Sequence, residues 1–380
     1  MTTFARADTR PLAQWWWTVD RWCLGALFAL ACLGLLLVLA ASPAVANRID
    51  IAEFHFVIRQ AVFVSIALAA MVGVSMLGPL AVRRTGVLLF LGALVGLLLT
   101  LTIAPEVNGA HRWLWLGPLT IQPSEFAKPG FIVFCAWMFA EGRKPDGLPG
   151  GWISFVALCL LLAIFAAQPD FGQAALVTLV WVGMAFVAGA PILPIVGVVS
   201  AGAGGLFLAY LFVPHVTSRI DRFLDPSSGD TYQMDTAISA ITSGGLFGRG
   251  PGEGVLKRVL PDAHTDYIFA VAAEEFGVLA CMALVGIFAF IVLRAFQRVM
   301  GERDAFVQLA AAGLIGLFGL QAFINMGVNL GLLPSKGMTL PFISYGGSSS
   351  LAIGISMGFV LALTRRRAHG RSVLRSAQGA

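Results

Sequence analysis

Charge is what this sequence has least of. Asp, Glu, Lys and Arg make up only 12% of its 380 residues, about half of the roughly 25% found in soluble domains. With 58% hydrophobic residues, one globule cannot hide all the apolar surface, and the surplus must face lipid. No polar stretch between the apolar runs is long enough to fold as a soluble domain. Cysteine is also scarce. Of five, Cys32, Cys135, Cys159 and Cys281 lie within apolar runs and Cys23 opens one. None forms a CxxC or CxH pattern, so neither a disulfide framework nor a zinc site is suggested. A cleavable secretory leader is not evident, since the first 21 residues are polar and aromatic and the first apolar run is long enough to span.

What is present is a succession of apolar runs. A helix needs roughly 20 apolar residues to cross a hydrocarbon core about 30 Å thick. The pattern predicts an all-α integral membrane protein with ten spans: 22–41, 56–77, 86–104, 124–140, 152–168, 171–189, 192–213, 267–293, 306–330 and 347–364. Spans 5 and 6 meet at a tight turn, Gln168-Pro169-Asp170-Phe171-Gly172, and spans 6 and 7 at Gly189-Ala190-Pro191. Residues 1–21 read as an N-terminal tail, 22–364 as one polytopic domain and 365–380 as a basic C-terminal tail. Trp15-Trp16-Trp17 sits where an interfacial aromatic belt would lie.

Orientation follows from the cations in short loops. On one side lie Arg6, Arg10, Arg21, Arg83, Arg84, Arg143, Lys144, Arg294, Arg298, Arg303, Arg365, Arg366, Arg367, Arg371 and Arg375. On the other lie only Arg48, Arg59, Arg112, Lys128 and Lys336. The richer side is expected in the cytoplasm, with both chain ends. Three unusual segments then fall outside: 105–123, the 214–266 loop between spans 7 and 8, and 331–346. Long loops are uncommon unless they work, so the chemistry is expected outside, away from nucleotides, with no nucleic acid as partner.

Within the long loop, Met234, Ala237, Ile238 and Ile241 recur at helical spacing and predict a short amphipathic helix in the interface. Gly244 to Gly254 superficially resembles a phosphate loop. No strand precedes it and no Lys-Ser/Thr follows, so a flexible external loop is the plainer reading.

Charges in membrane helices are costly, roughly 2.5–3.5 kcal/mol each at mid-span, and so mark function. Glu274 and Glu275 follow the start of span 8 by eight residues, about 12 Å of helix. Glu125 and Lys128 are three apart and can pair on one helix. In Pro261-Asp262-Ala263-His264-Thr265-Asp266-Tyr267, Thr265 or Asp266 could be a simple N-cap. A carboxylate at that mouth could equally take a proton from a substrate hydroxyl. Gly346-Gly347-Ser348-Ser349-Ser350 opens span 10. With Lys336 before it, this start could hold a phosphate, or it could be capping and small-residue packing.

Several of these segments, taken in order, resemble the SEDS family (shape, elongation, division, sporulation). They are Asn108 to Trp113, Gln122 to Lys128, Gln168 to Gly172, Leu260 to Ala270 running on through Glu274-Glu275-Phe276-Gly277, and Lys336 to Ser349. Lys336-Gly337-Met338-Thr339-Leu340-Pro341 and Tyr232-Gln233 resemble the division branch more than the elongation branch. One departure is Arg258, where many division members carry a glutamate eight residues before the catalytic aspartate. The resemblance implies a peptidoglycan glycosyltransferase that polymerises lipid II on the outer face of the cytoplasmic membrane, at the division septum. It implies a class B penicillin-binding transpeptidase and other divisome membrane proteins as partners, and a divalent cation, Mg or Mn, with no legible ligand set. Asp266 matches the family's essential aspartate. Lys336, Arg249 and Lys128, in that order, are candidates for the positive charge that a pyrophosphate needs. Glu125, Arg112, Gln233 and Ser348 complete the candidate substrate-binding set. A transporter or lipid flippase would also fit ten helices with internal charges, although no internal repeat is visible.

Overall fold

The computed structural model describes residues 10–106, 111–117, 119–213, 216–218, 220–221, 232–334 and 337–366. A helix forms on each predicted span because the bilayer offers no other partner for backbone N–H and C=O groups. In chain order these are α2 (Arg21–Arg48), α3 (His55–Ser75), α4 (Pro79–Ile103), α5 (Pro123–Glu141), α6 (Gly150–Ala167), α7 (Phe171–Val187) and α8 (Ile192–Phe212), followed by α10 (Ile268–Val299), α11 (Ala305–Asn329) and α12 (Gly347–Leu363). Three smaller elements join them: α1 (Pro11–Thr18), an antiparallel hairpin of β1 (Leu114–Leu116) and β2 (Leu119–Ile121), and α9 (Tyr232–Gly244).

Both predicted junctions hold, with Asp170 as the N-cap of α7 and Pro191 as that of α8. Two ends differ most from the expected ones. Helix α2 runs on through Pro43 to Arg48; a proline is tolerated where neighbouring helices help satisfy the freed backbone. Helix α4 starts at Pro79 rather than 86, which puts Arg83 on the helix with its guanidinium 5.3 Å from the Trp137 ring.

Among the described residues, seven helices are long and apolar enough to cross a membrane: α2, α3, α4, α6, α8, α10 and α11. Helices α7 and α12 are apolar but have 17 residues each. Helix α5, with 19, carries Glu125 and Lys128. Helices α5 and α12 lie inside the bundle, where they pack on each other and on α11, so their polar groups meet protein and not lipid. Close approach depends on small residues: a β-carbon at Gly354 of α12 would lie 2.5 Å from Ala67 O of α3. At the other extreme, α8 buries only Ala209.

The end of the bundle nearest both termini is fastened by charge. Asp20 caps α2 and pairs with Arg294 at 2.9 Å and Arg298 at 3.0 Å. Burial would raise its carboxyl pKa, but the hydrogen bond from Arg294, the Cys23 N–H and the Arg298 charge outweigh burial and hold it below the usual range. The expected tail contributes structure here. In α1, Trp15 is buried and donates to Ser75 Oγ at 2.8 Å, Trp16 and Trp17 lie under Arg21, and Thr18 accepts from Arg365 Nε at 2.9 Å.

Candidate active site

The opposite end is held by directional hydrogen bonds. Segment 261–267 and segment 337–346 lie side by side, and α11 supports both. Three amides, Gln321, Asn325 and Asn329, stand four residues apart on one face of this otherwise apolar helix. Asn325 and Asn329 donate to the Asp266 carbonyl at 3.0 and 2.9 Å. Asn325 also donates to Met338 O at 2.6 Å, and Asn329 accepts from Ala270 N at 3.1 Å. Gln321 donates to Thr339 O at 3.0 Å. The strands of this clasp meet directly as well: Tyr345 N donates to His264 O at 2.9 Å and Ser344 Oγ to Thr265 O at 2.5 Å. From α3, Gln60 donates to Ser344 O at 3.1 Å and accepts from Gly346 N at 3.2 Å.

Asp266 is half-buried within this clasp. A β-carbon at Gly337 would lie 3.3 Å from its Oδ2, so the carboxylate rests against the backbone beside position 336. The capping explanation of Thr265 fails: α10 begins at Ile268 with Tyr267 as N-cap and no side-chain cap bond, and the Thr265 hydroxyl donates to Asp262 O at 3.1 Å. His264, two residues before Asp266, is buried between the rings of Phe56 and Tyr345, with centroids at 4.6 and 5.3 Å. Burial, with Arg48 adding to it against Asp262, pushes its pKa down to about 4, so it stays neutral near pH 7.

The remaining candidates distribute as follows. Lys336 lies outside the described residues, as do Asn108 and its two followers. Lys128 and Glu125 form the expected internal pair at 2.9 Å. Gln173 also donates to Glu125, and Lys128 reaches Gln321 Oε1 at 3.2 Å. This pair therefore joins Asp266 through α11 and not through open solvent. Ser348 Oγ accepts from Gln122 N at 3.1 Å and meets Thr120 O at 3.3 Å, which ties α12 to the β1–β2 hairpin. Ser349 Oγ is 2.5 Å from Thr339 Oγ1. Arg112 reaches Gln168 O at 3.1 Å, Pro169 O at 2.5 Å and Asp170 Oδ2 at 3.8 Å, and so braces the α6–α7 turn. Asp170 is buried deeply enough that desolvation raises its pKa despite Arg112. Gln233 is exposed on α9. Arg249 is exposed too, with Nε 3.4 Å from Ser243 O.

One expectation about the long loop changes. Helix α9 exists as expected; the face that it packs against protein is Thr236, Ala237, Ala240 and Gly244, while Met234, Ile238 and Ile241 of the apolar stripe stay at least partly exposed. Small residues win because α9 packs closely on α10: a β-carbon at Gly244 would lie 1.9 Å from Ala273 O. The glycine-rich segment is fixed rather than flexible. Glu274 accepts from the N–H groups of Val255, Leu256 and Lys257 at 2.7–3.0 Å, and Glu275 pairs with Lys257. The two glutamates precede a break in α10 at Gly277, φ +81°, and hold the loop down. Among the described residues, no three His, Cys, Asp or Glu side chains converge as a metal site.

Residues 21–369 match the family model of FtsW, RodA and SpoVE, described as cell cycle proteins. This chain belongs to that family. The FtsW, RodA and SpoVE match agrees with individual relatives. The chain is 48% identical over 372 residues to a Caulobacter vibrioides protein named Probable peptidoglycan glycosyltransferase FtsW, covering 97% of this chain and 95% of that one. Its fold matches a chain of a structure described as structural coordination of polymerization and crosslinking by a peptidoglycan synthase complex, with TM-score 0.76, 27% identity, and 93% and 99% of the two chains covered. It also matches the Thermus thermophilus rod shape determining protein RodA, with TM-score 0.70, 27% identity and the same coverage. These neighbours establish the membrane-spanning helical fold of the FtsW, RodA and SpoVE family for this chain.

The α11 amides were missed by sequence reasoning. Their signal was present: three amides at i, i+4 and i+8 in an apolar span are costly unless they meet partners. Gln60 left a fainter trace, a lone amide in α3.

Proposed function

We propose that this protein is a septal peptidoglycan glycosyltransferase that polymerises lipid II outside the cytoplasmic membrane, with both termini in the cytoplasm. The observation that carries the reading is Asp266, half-buried in a clasp whose backbone is pinned by Asn325 and Asn329, in a chain of this family. The 4-hydroxyl of the acceptor sugar attacks the anomeric carbon of the donor. A C–O bond forms there as the bond to the pyrophosphate oxygen breaks. Asp266 takes the hydroxyl proton, a role that needs a carboxylate at the mouth of the site. The departing undecaprenyl pyrophosphate needs cations; Lys336, adjoining Gly337, is the first candidate and Arg249 the second.

Lys128 acts at one remove, through Gln321 and Thr339, with Glu125 as its counter-ion. Arg112 and Ser348 brace the surrounding segments, and Gln233 stands exposed on α9, open to substrate. A divalent cation would supply further positive charge at the pyrophosphate, held by phosphate oxygens, water and one or two carboxylates. A class B penicillin-binding transpeptidase, working with other divisome membrane proteins, would cross-link the product.

The test is polymerisation of purified lipid II in detergent, which removes the two compartments that a flippase needs. Glycan strands from the wild type and none from Asp266→Ala are expected. Strands at near wild-type rate from Asp266→Ala would end the base assignment. Lys336→Ala should lose more activity than Lys336→Arg. Cysteine labelling from outside should reach position 229 and miss position 145; the reverse would invert the orientation. Depletion should give filamentous cells. Round cells that still divide would move the protein to the elongation branch.

A further inference from the structure

Helix α10 and residues 244–250 complete each other. The break at Gly277 leaves backbone groups that a continuous helix would have paired. The loop takes them: Arg249 N donates to Glu274 O at 2.9 Å and Gly250 N to Glu275 O at 3.0 Å. In return, Val278 N donates to Gly245 O at 3.0 Å and Leu279 N to Leu246 O at 3.3 Å. Gly248 N closes the loop on Gly244 O at 2.8 Å. Loop and break are therefore one unit, and the loop sits at the depth of residues 274–279.

The other end of α10 fixes that depth. Arg294 and Arg298 pair with Asp20 at the start of α2, which marks one edge of the hydrocarbon. Leu279 lies 15 residues from Arg294, at about 22 Å of helix rise, and tilt only shortens this. The hydrocarbon is about 30 Å thick. Leu279, and Leu246 bonded to it, thus fall within the hydrocarbon near its far edge. At that level Leu246 is 63% and Phe247 79% exposed, next to Leu279 at 48% and Met282 at 63% on α10.

We infer that residues 244–250 form a re-entrant loop in the outer leaflet, with Leu246 and Phe247 set among lipid acyl chains. Irregular backbone is tolerated at membrane depth only where its polar groups are satisfied by protein, and the exchanged bonds with the broken helix do this. In water, two large apolar side chains at a loop tip would gain nothing from exposure; among acyl chains their apolar surface leaves water, which is favourable. Arg249 follows, exposed, and its long stem lets the guanidinium reach headgroup level. Only the word "outer" rests on the proposed orientation; the depth does not.

Electron paramagnetic resonance of the full chain in nanodiscs, without any partner, tests this. With the five native cysteines replaced, a nitroxide is placed by Phe247→Cys, by Met282→Cys as a lipid-facing reference and by Glu253→Cys as an aqueous one. Collision with oxygen and with a water-soluble nickel chelate reports depth. The label at 247 should behave as at 282, with an oxygen-to-nickel ratio several-fold above that at 253. A ratio like that at 253 would make the tip a solvated loop. Protection from both reagents would mean that protein covers the tip, which equally overturns the proposal. Leu246→Cys repeats the measurement if Phe247→Cys does not fold. Depth is read without reference to polymerase activity, so failure here is separable from failure of the proposed function.

Discussion

The two ends of the bundle are built from different chemistry. Near the termini, Asp20, Arg294, Arg298 and Arg365 fasten helices through charges at the membrane edge. Around Asp266, neutral amides and hydroxyls bind named carbonyls of irregular backbone. Near the termini Asp20 is buried while Arg294 and Arg298 stay about a quarter exposed, and charge attraction, which falls off slowly with distance, tolerates small shifts in geometry. Amides buried against carbonyls fix position, because leaving them unpaired costs the desolvation of the group. The first arrangement suits a clamp and the second suits a site that must hold a carboxylate still.

Breaking the amide-and-ion network from its deepest member should have the largest effect. Lys128→Met leaves the Glu125 carboxylate buried without its cation and should cost about 3–5 kcal/mol. Thermal unfolding in detergent would read it, and Glu125→Gln added to Lys128→Met should recover much of the loss. No recovery would mean that Lys128 matters for some reason other than the pair.

Asn325→Leu removes two hydrogen bonds, to Asp266 O and Met338 O. At about 1 kcal/mol or more each, polymerisation should fall by roughly 30-fold, while the melting temperature moves by only a few degrees. A variant that unfolds would place Asn325 in the stabilising framework; an unchanged rate would show that the Asp266 backbone needs no such pin.

Acid separates the two ends further. His264 has a folded-state pKa near 4 against an ordinary 6.5, so the unfolded chain binds the proton first. Its contribution is full above about pH 6.5 and is lost as pH falls towards 4, about 2 kcal/mol by pH 5. Asp20, whose pKa is lowered, holds its contribution throughout that window and loses it only below the ordinary carboxylate range. Stability measured from pH 7 to 5 should therefore drop in the wild type and drop less in His264→Phe, which keeps the ring stack and removes a buried nitrogen, Nδ1, that has no partner among the described residues.

The smallest effect on activity belongs to the clamp. Asp20→Asn takes the charge from a buried, arginine-paired carboxylate and should cost about 1.5–3 kcal/mol of stability, yet leave polymerisation in detergent unchanged. A large loss of activity would mean that the clamp is coupled to the site about 30 Å away, the length of a 20-residue helix, and the contrast between the two ends would fall.

Composition and apolar periodicity by themselves determined the membrane class and the number and order of the long helices, because a bilayer leaves a 20-residue apolar run one conformation. They also determined the Glu125–Lys128 pair, which is local to one helix turn. Asp266 was singled out by its place at a helix mouth and by resemblance. Tertiary structure decided the rest. The face that α9 turns to α10 was not legible, because its neighbour admits only small side chains there. The glycine-rich segment read as flexible because its hydrogen-bond partners are the freed groups of a helix break more than 20 residues later. Glu274 and Glu275 were legible as charges set below the surface but not as the loop's anchors, since nothing local reveals that Gly277 ends one helix segment and starts another. The amides of α11 and Gln60 acquire their meaning only from Met338, Thr339 and Ser344, carbonyls brought to them across the fold. Spacing reveals contacts within a turn; which distant backbone group satisfies a buried amide is set by packing alone.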